Sequence, residues 1–195
     1  MNATLAPADL LRVRFEAEAL PHLESLSVTG LCLTSIFKAT RADKDGVQDF
    51  SMLDPVFGDE AAFRTLVEEA AKRNITVVLD GIFPYTGADH PWFVSARQHT
   101  ADDESRLDPS GRTRGFYFFE GDSPDRYATW HGEADHPELN LQSHELRRRL
   151  FTGERSVVHE WLLREAGGWR LSRSDELGYQ VLREIALSAR TGGEG

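Results

Sequence analysis

The stretch Gly168-Trp169-Arg170-Leu171-Ser172 decides the fold of this protein. It lies between two segments with helical periodicity, which predict helices over about residues 143–162 and 175–189. A short apolar strand between two helices is typical of folds in which parallel strands alternate with helices. The polar residues at the carboxyl end of such a strand often lie in a functional site. The stretch therefore predicts the α/β class and one edge of a candidate site.

The same alternation of helix and strand precedes this stretch. Amphipathic periodicity predicts a first helix over about residues 7–26, and residues 28–34 form an apolar run that is rich in strand formers. A second helix is predicted over about residues 58–73, and a second strand over 75–79 ends just before Asp80. The sequence thus predicts an open sheet of three to four parallel strands, fewer than the eight of a closed barrel.

The composition excludes several classes of partner. The 195 residues include 22 Lys and Arg and 32 Asp and Glu, which give a formal net charge of -10 and repel nucleic acids and anionic membrane surfaces. The single cysteine, Cys32, excludes an intrachain disulfide, and its apolar neighbours predict that it is buried. Neither a signal peptide nor a membrane span is recognisable, so we expect a cytoplasmic protein.

A long segment separates the second strand from the third. Residues 83–142 are rich in Asp, Gly, Pro, His and aromatic residues and lack clean periodicity. Segments of this length in a compact domain are normally functional or form a small subdomain. We therefore divide the chain into the first part of the sheet at residues 1–82, an inserted subdomain at 83–142, and the last part of the sheet at 143–195.

The insertion contains a dense group of possible metal ligands. His131, Glu133, Asp135 and His136 lie within six residues of one another. Imidazole and carboxylate groups could bind zinc or manganese, which generate hydroxide near neutral pH. Ligands so close in sequence rarely complete a site unaided, so the alternative is a solvated polar loop. No organic cofactor is predicted.

Several motifs, in order along the chain, resemble one known family. They are Asp80-Gly81-Ile82-Phe83, His90-Pro91-Trp92-Phe93, Pro137-Glu138-Leu139-Asn140 and the stretch 168–172. Together they resemble the α-amylase superfamily of glycoside hydrolases, most closely its cyclomaltodextrinases and neopullulanases. The resemblance implies a TIM-type (β/α)8 barrel, of which this chain would form a partial, half barrel with the insertion after the third family strand.

The resemblance also implies catalytic positions. Ser172 stands where the family has its nucleophilic aspartate, and Arg170 stands where the family has the arginine that pairs with it. A retaining glycosidase needs a carboxylate at this place. Arg170 therefore needs another acid, and Asp80 and Asp175 are the nearest candidates. We predict Asp80, Arg170, Ser172 and Asp175 as catalytic residues; the alternative is that Ser172 only remains where the aspartate was lost.

The resemblance predicts substrate contacts as well. The family's asparagine-histidine pair after the third strand is Pro84-Tyr85 here, and a tyrosine-aspartate pair in the preceding loop is Asp45-Gly46. Aromatic rings can support sugars and other flat ligands. The predicted substrate-binding residues are Phe83, Tyr85, Trp130 and His136. Packing of the insertion against the strands explains the aromatic residues equally well.

These departures lead to two hypotheses for the function. The first is a repurposed hydrolase that cleaves an ester or phosphoester with a bound metal, at the carboxyl ends of the strands. The alternative is a non-catalytic descendant that binds an oligosaccharide or a protein partner. Amylolytic activity is disfavoured, because Ser172 replaces the nucleophile and the sequence ends before the strand that bears the family's acid/base glutamate.

The open sheet also predicts self-association. A sheet of three or four strands leaves two unpaired edges and, we expect, an apolar inner face. We therefore expect a homodimer in which two partial barrels pair their edges or cover each other. The predicted ligand of each copy is a small-molecule substrate or an oligosaccharide.

Overall fold

A computed structural model of the protein describes residues 17–41, 44–98 and 111–192. The described strands are β1 (Gly30–Leu33), β2 (Phe37–Ala39), β3 (Val47–Leu53), β4 (Thr76–Ile82) and β5 (Gly168–Ser172). The described helices are α1 (Leu20–Ser25), α2 (Glu60–Ala71), α3 (Pro91–Gln98), α4 (His144–Arg147), α5 (Val157–Leu163) and α6 (Ser174–Gly192). Within these ranges, no helix combines the length and the apolar character needed to cross a lipid bilayer.

Three parallel strands form the central sheet in the order β1-β4-β5. Leu33 of β1 lies beside Leu79 of β4, and Asp80 of β4 lies beside Arg170 of β5. Parallel neighbouring strands need long crossover connections. The connection from β1 to β4 contains α2, and the connection from β4 to β5 contains α3, α4 and α5. The predicted α/β fold with three parallel strands is confirmed.

The two faces of the central sheet differ in chemistry, because successive side chains of a strand point to opposite faces. Val77 and Leu79 are buried in the core on one face. The opposite face carries Asp80, Arg170 and Cys32, and Cys32 is exposed. The expected apolar inner face and the expected burial of Cys32 are therefore wrong. β1 is an edge strand, and its second face is open to solvent.

β2 and β3 form an antiparallel pair that the sequence pattern does not predict. The buried residues of β3 are Val47, Phe50 and Leu53, so the strand lacks the alternation of a half-buried strand. Irregular register on both sides of Lys38 accounts for this spacing. Trp161 of α5 donates a hydrogen bond from Nε1 to the Phe50 carbonyl at 2.8 Å, which fixes the hairpin to the helical layer.

The single helix predicted over residues 143–162 is two helices. α4 continues into a π-helical turn at Arg148–Thr152, and Gly153 then adopts an extended conformation with φ -76° and ψ 153°. α5 starts anew after Ser156, whose hydroxyl accepts a hydrogen bond from the His159 N–H. The apolar periodicity continues across Gly153, so it conceals the break.

The other helices follow their sequence signals more closely. Asp59 caps α2 and accepts a hydrogen bond of 2.8 Å from the Ala62 N–H. Residues 7–16 of the predicted first helix lie outside the described residues, and α1 is its described end. α6 is interrupted at Gly178, where φ is 74° and ψ is 154°. A positive φ of this kind favours glycine.

The inserted segment after β4 is folded. It contains α3 and two 3-10 turns, Gly111–Phe116 and Trp130–Gly132. Isolated antiparallel bridges join Tyr85 to Glu138 and Tyr117 to Leu139. Since Tyr85 follows β4 closely, these bridges hold the insertion beside the carboxyl end of the central sheet.

Candidate functional site

The carboxyl ends of β4 and β5 bring Asp80, Arg170 and Ser172 together, and we call these residues the strand-end cluster. Arg170 donates hydrogen bonds from Nε to Asp80 Oδ1 at 3.1 Å and from Nη2 to Oδ2 at 2.7 Å. Ser172 Oγ donates to Asp80 Oδ1 at 2.7 Å. The parallel register creates this arrangement, because Asp80 and Arg170 are direct neighbours and Ser172 lies two residues further along β5.

The strand-end cluster gives Arg170 the acid that it was expected to need. The Asp80 side chain is 5% exposed and the Arg170 side chain 52% exposed. The hydrogen bonds and the charge of Asp80 raise the pKa of the Arg170 guanidinium, so it stays charged. Asp175, the other candidate, lies exposed in the first turn of α6. The structure thus selects Asp80 as the partner of Arg170.

A pocket of about 460 Å³ opens beside the strand-end cluster, and we call it the strand-end pocket. It is lined by Thr34, Ser35, Asp45, Asp80, Ile82, Arg170, Ser172 and Arg173. Hydroxyl groups, carboxylates and guanidinium groups all face a space large enough for a small organic ligand. The two carboxylates balance the two guanidinium groups in this lining, so it suits a neutral polar ligand.

Arg173 is a lining residue that the sequence motifs do not predict. It follows β5 directly, with a backbone φ of 56° in the left-handed region. Its guanidinium carbon lies 4.1 Å from the ring centroid of Trp130, which makes a cation–π contact. The available signal was its place just after a strand, where TIM-type barrels position functional side chains.

Three of the four predicted substrate-binding residues form a stack. The ring centroid of Tyr85 lies 4.5 Å from that of Trp130 and 4.7 Å from that of His136. Arg173 packs on the Trp130 ring as well. Tyr85 and His136 are buried, so they support Trp130 instead of presenting open rings to a ligand. The structure brings these three residues together, but the buried rings of Tyr85 and His136 are closed to a substrate.

Phe83, the fourth predicted substrate-binding residue, does not join this stack. It is fully buried, and its ring centroid lies 5.1 Å from Phe151 and 5.7 Å from Trp169. A Cβ atom added at Gly81 would lie 2.5 Å from the Phe83 ring, so the ring lies directly over the β4 backbone. Phe83 is a core residue, and its assignment to substrate binding is corrected.

The stack contains polar atoms that lack well-aligned hydrogen bonds. Among the described residues, no partner meets hydrogen-bond geometry at Tyr85 Oη or at either ring nitrogen of the buried His136. Burial raises the pKa of the Tyr85 phenol, and the nearby Arg173 guanidinium offsets only part of this rise, so the phenol stays protonated. A Cβ atom at Gly46 would lie 3.1 Å from Gly87 Cα and 3.2 Å from the His136 ring. Gly46 therefore leaves the space that the imidazole fills.

The four residues of the predicted zinc or manganese site do not converge on one point. His131 is exposed and points its Nε2 at Glu176 at 3.4 Å, while Asp135 pairs with Arg41 at 3.2 Å. His136 is buried in the aromatic stack instead. Across residues 17–41, 44–98 and 113–190, no three His, Cys, Asp or Glu side chains are placed to hold a metal ion. Glu133 is exposed on the same loop, so the group divides into three exposed side chains and the buried His136.

Sequence comparisons match the chain to one family model and to several curated relatives. The family model described as alpha amylase, catalytic domain, matches residues 17–182. A cyclomaltodextrinase of Bacillus sp is 30% identical over 168 residues, which are 85% of this chain and 29% of that protein. Neopullulanase 2 of Thermoactinomyces vulgaris is 31% identical over 174 residues, which are 86% of this chain and 28% of that protein. The chain therefore spans less than a third of these relatives.

Comparison with solved structures identifies a similar fold in a larger protein. Ttha1563 from Thermus thermophilus superimposes with a TM-score of 0.77 at 26% sequence identity. The match covers 90% of this chain and 36% of that chain. The open three-stranded sheet thus corresponds to part of a larger barrel, as the motifs predict.

Proposed function

Because the chain belongs to the alpha-amylase catalytic domain family, we propose that it binds α-glucan oligosaccharides in the strand-end pocket without cleaving them through Ser172. The observation that carries this proposal is the strand-end cluster. The position of the family nucleophile holds a hydroxyl group that is hydrogen-bonded to Asp80 at 2.7 Å. Saccharides are the ligand class named by relatives such as the cyclomaltodextrinase and neopullulanase.

Retaining hydrolysis needs a carboxylate that attacks the anomeric carbon and then leaves it. Ser172 offers a hydroxyl group, which becomes a nucleophile only when a base removes its proton. The described lining of the strand-end pocket contains no histidine, and its nearest carboxylate, Asp80, is bound by two N–H groups of Arg170. Both Asp80 oxygens are thus engaged by Arg170, which argues against transfer of the Ser172 proton to this carboxylate.

The chemistry of the strand-end pocket favours binding of a saccharide. Sugar hydroxyl groups exchange hydrogen bonds with hydroxyl, carboxylate and guanidinium groups, and Thr34, Asp45 and Arg173 supply one of each at the rim. The metal-assisted hydrolase, the first hypothesis from the sequence, loses its support because its four proposed ligands do not converge. The binding hypothesis needs only groups that already line the pocket.

The test is a calorimetric titration with maltoheptaose, combined with analysis of the sugar afterwards. We expect saturable heat and an unchanged sugar. Thr34→Arg fills the exposed rim of the pocket and should weaken binding at least about tenfold, which is about 1.4 kcal/mol. Thr65→Arg, on the exposed side of α2, is the matched control and should bind as the parent does. Equal affinities for the parent and Thr34→Arg would contradict the assignment of the pocket.

A further inference from the structure

The ring of His159, in α5, lies between the ends of two other helical segments. Its Nδ1 atom lies 2.9 Å from the carbonyl oxygen of Gly153, the residue at which the π-helical turn ends. Its Nε2 atom lies 2.8 Å from the carbonyl oxygen of Ser188, near the carboxyl end of α6. Both distances are typical of hydrogen bonds. One side chain thus joins three helical segments, and we call this arrangement the His159 staple.

The His159 staple needs two N–H donors on the same ring. A carbonyl oxygen only accepts hydrogen bonds, so each ring nitrogen must carry a proton to bond its partner. A neutral imidazole carries one such proton, and its other nitrogen would turn a lone pair toward a carbonyl oxygen. The imidazolium carries both protons and can donate to Gly153 and to Ser188 at once. The two distances therefore fit the charged form of the ring.

The Ser188 hydroxyl group does not make the neutral ring an equally good fit. Its Oγ atom lies 3.0 Å from His159 Nε2, where it could donate to an unprotonated nitrogen. The hydroxyl group has a single proton, however, and it donates that proton to the Phe151 carbonyl. The Nε2–H of an imidazolium can instead be shared between the carbonyl and hydroxyl oxygens of Ser188. All of these groups are then satisfied together.

Helix ends, and not a carboxylate, stabilise the charge on the ring. Both acceptor carbonyls lie at or near the carboxyl end of a helical segment, where the helix dipole favours a cation. Among the described residues, no carboxylate forms an ion pair with the His159 ring. The charged side chains of the packed segments bond to other groups or are exposed: Arg155 pairs with Glu160, Arg148 and Arg149 with Glu145, and Arg147 with Glu184, Asp49 accepts hydrogen bonds from Ser51, and Glu154, Arg183 and Arg190 are exposed.

We infer that His159 is a pH-dependent staple, whose imidazolium ties the π-helical turn and α6 to α5 and releases one of them when the ring loses a proton. The helices that it ties, α5 and α6, precede and follow β5, the strand of the candidate site. Trp169 of β5 donates a hydrogen bond of 3.3 Å from Nε1 to the Val158 carbonyl, next to His159 in α5. The inference does not depend on what the strand-end pocket binds.

The sign of the pH dependence follows from the two acceptors. Folding gives the imidazolium two carbonyl partners that the unfolded chain lacks, so the staple contributes fully to stability at low pH, where the ring carries both protons. This contribution is lost as the pH rises and the ring gives up one proton. The buried His90 acts in the opposite direction, because burial lowers its pKa to about 4 and its neutral form is the one that folding favours. The two histidines can therefore be told apart by the direction of their effects.

Nitrogen-15 NMR of the histidine rings observes the two protons directly. At pH 7 we expect the His159 ring of the folded protein to carry protons on both nitrogens. The spectrum of His159→Gln identifies the signals of this ring by their absence, and the urea-unfolded parent at the same pH provides the reference. A His159 ring with one protonated nitrogen in the folded protein at pH 7 would overturn the inference. This measurement uses the parent protein, so it decides the matter even if the variant does not fold.

Urea unfolding at pH 6 and at pH 9 measures the effect on stability. The folding equilibrium constant of the parent, divided by that of His159→Gln, should be at least about fivefold larger at pH 6 than at pH 9. His144→Gln, at an exposed histidine of α4, is the matched control, and its ratio to the parent should not change with pH in this way. A ratio for His159→Gln that is the same at both pH values would assign the residue to packing alone and would also overturn the inference.

Discussion

Ser172 Oγ donates a hydrogen bond of 2.7 Å to Oδ1 of Asp80, and the same oxygen accepts one of 3.1 Å from Arg170 Nε. A serine becomes reactive when a neighbouring base takes its proton. Both oxygens of Asp80 already accept hydrogen bonds from Arg170, so the carboxylate is engaged before it could take the Ser172 proton. This contact supports the proposal that Ser172 stands at the position of the family nucleophile without its chemistry.

Arg170→Met should destabilise the protein by leaving the buried Asp80 carboxylate without its cation. Removal of one partner from a buried ion pair costs about 3–5 kcal/mol, and we expect about 1–3 kcal/mol here because solvent screens the half-exposed Arg170. Urea unfolding at pH 7 measures the free energy of unfolding. Arg183→Met, at an exposed position of α6, is the control and should change it by less than about 0.5 kcal/mol. Equal losses in both variants would refute this role for Arg170.

Tyr85→Phe and Tyr117→Phe should have different effects, although both tyrosines are buried. Tyr85 Oη has no partner in hydrogen-bond geometry among the described residues, whereas Tyr117 Oη lies 3.0 Å from Thr86 Oγ1. Removal of the Tyr85 hydroxyl, which has no well-aligned hydrogen bond, should leave the free energy of unfolding unchanged or raise it by up to about 1 kcal/mol. Removal of the paired hydroxyl should lower it by about 1–2 kcal/mol. Chemical denaturation of the two variants tests this contrast, and the reverse order would disprove it.

His90 should make stability depend on pH. Burial lowers its pKa from 6.5 to about 4, and its Nδ1 accepts a hydrogen bond from the Trp92 N–H at 3.1 Å. Below pH 6.5 the imidazole of the unfolded chain binds a proton more readily than the buried imidazole does. The stability that the neutral His90 contributes is therefore complete above that pH. It should fall by up to about 3 kcal/mol as the pH drops to 4.

The variant His90→Gln should remove most of this loss, since glutamine does not titrate. His22→Gln, at an exposed histidine of α1, is the control and should keep the pH dependence of the parent. Thermal unfolding between pH 4 and pH 7 provides the measurement. An unchanged slope in His90→Gln would show that other groups cause the acid sensitivity.

Gly46→Ala should disturb the stack that includes His136. The added Cβ atom would lie 3.1 Å from Gly87 Cα and 3.2 Å from the imidazole, and neither a backbone atom nor a packed ring yields easily. Overpacking of this kind costs about 1–3 kcal/mol. Gly115→Ala, where a Cβ atom meets nothing within 4 Å, is the control and should be neutral. Differential scanning calorimetry compares the two, and a neutral Gly46→Ala would contradict the close fit.

The parts of the fold that were predicted correctly are those with strong local patterns. β4 and β5 have apolar runs that end on polar residues, and Asp59 gives a clear start to α2. β3 was missed because its buried residues are spaced by three, which resembles neither a half-buried strand nor a helix. The break at Gly153 was missed because apolar residues continue on both sides of it. Register irregularity and π-helical turns depend on tertiary packing, which a single sequence does not encode locally.

The candidate site was predictable in part. The pairing of Arg170 with Asp80 followed from the loss of the aspartate at position 172, because a partly buried cation needs an acid. The four predicted metal ligands diverge, because nearness in sequence does not fix the direction of side chains, and His136 points into the aromatic stack. Arg173 was missed because its role depends on a left-handed backbone conformation. The homodimer and the cytoplasmic location stay predictions.

The strand-end pocket should bind a glucan without cleaving it through residue 172. One NMR experiment with maltoheptaose observes both events, because saturation transfer reports binding and new reducing-end anomeric signals report cleavage. We predict saturation transfer to the glucosyl protons with no growth of reducing-end signals over days. Reducing-end signals that grow in proportion to protein concentration, and vanish in Asp80→Asn, would show that the protein cleaves the glucan at this site.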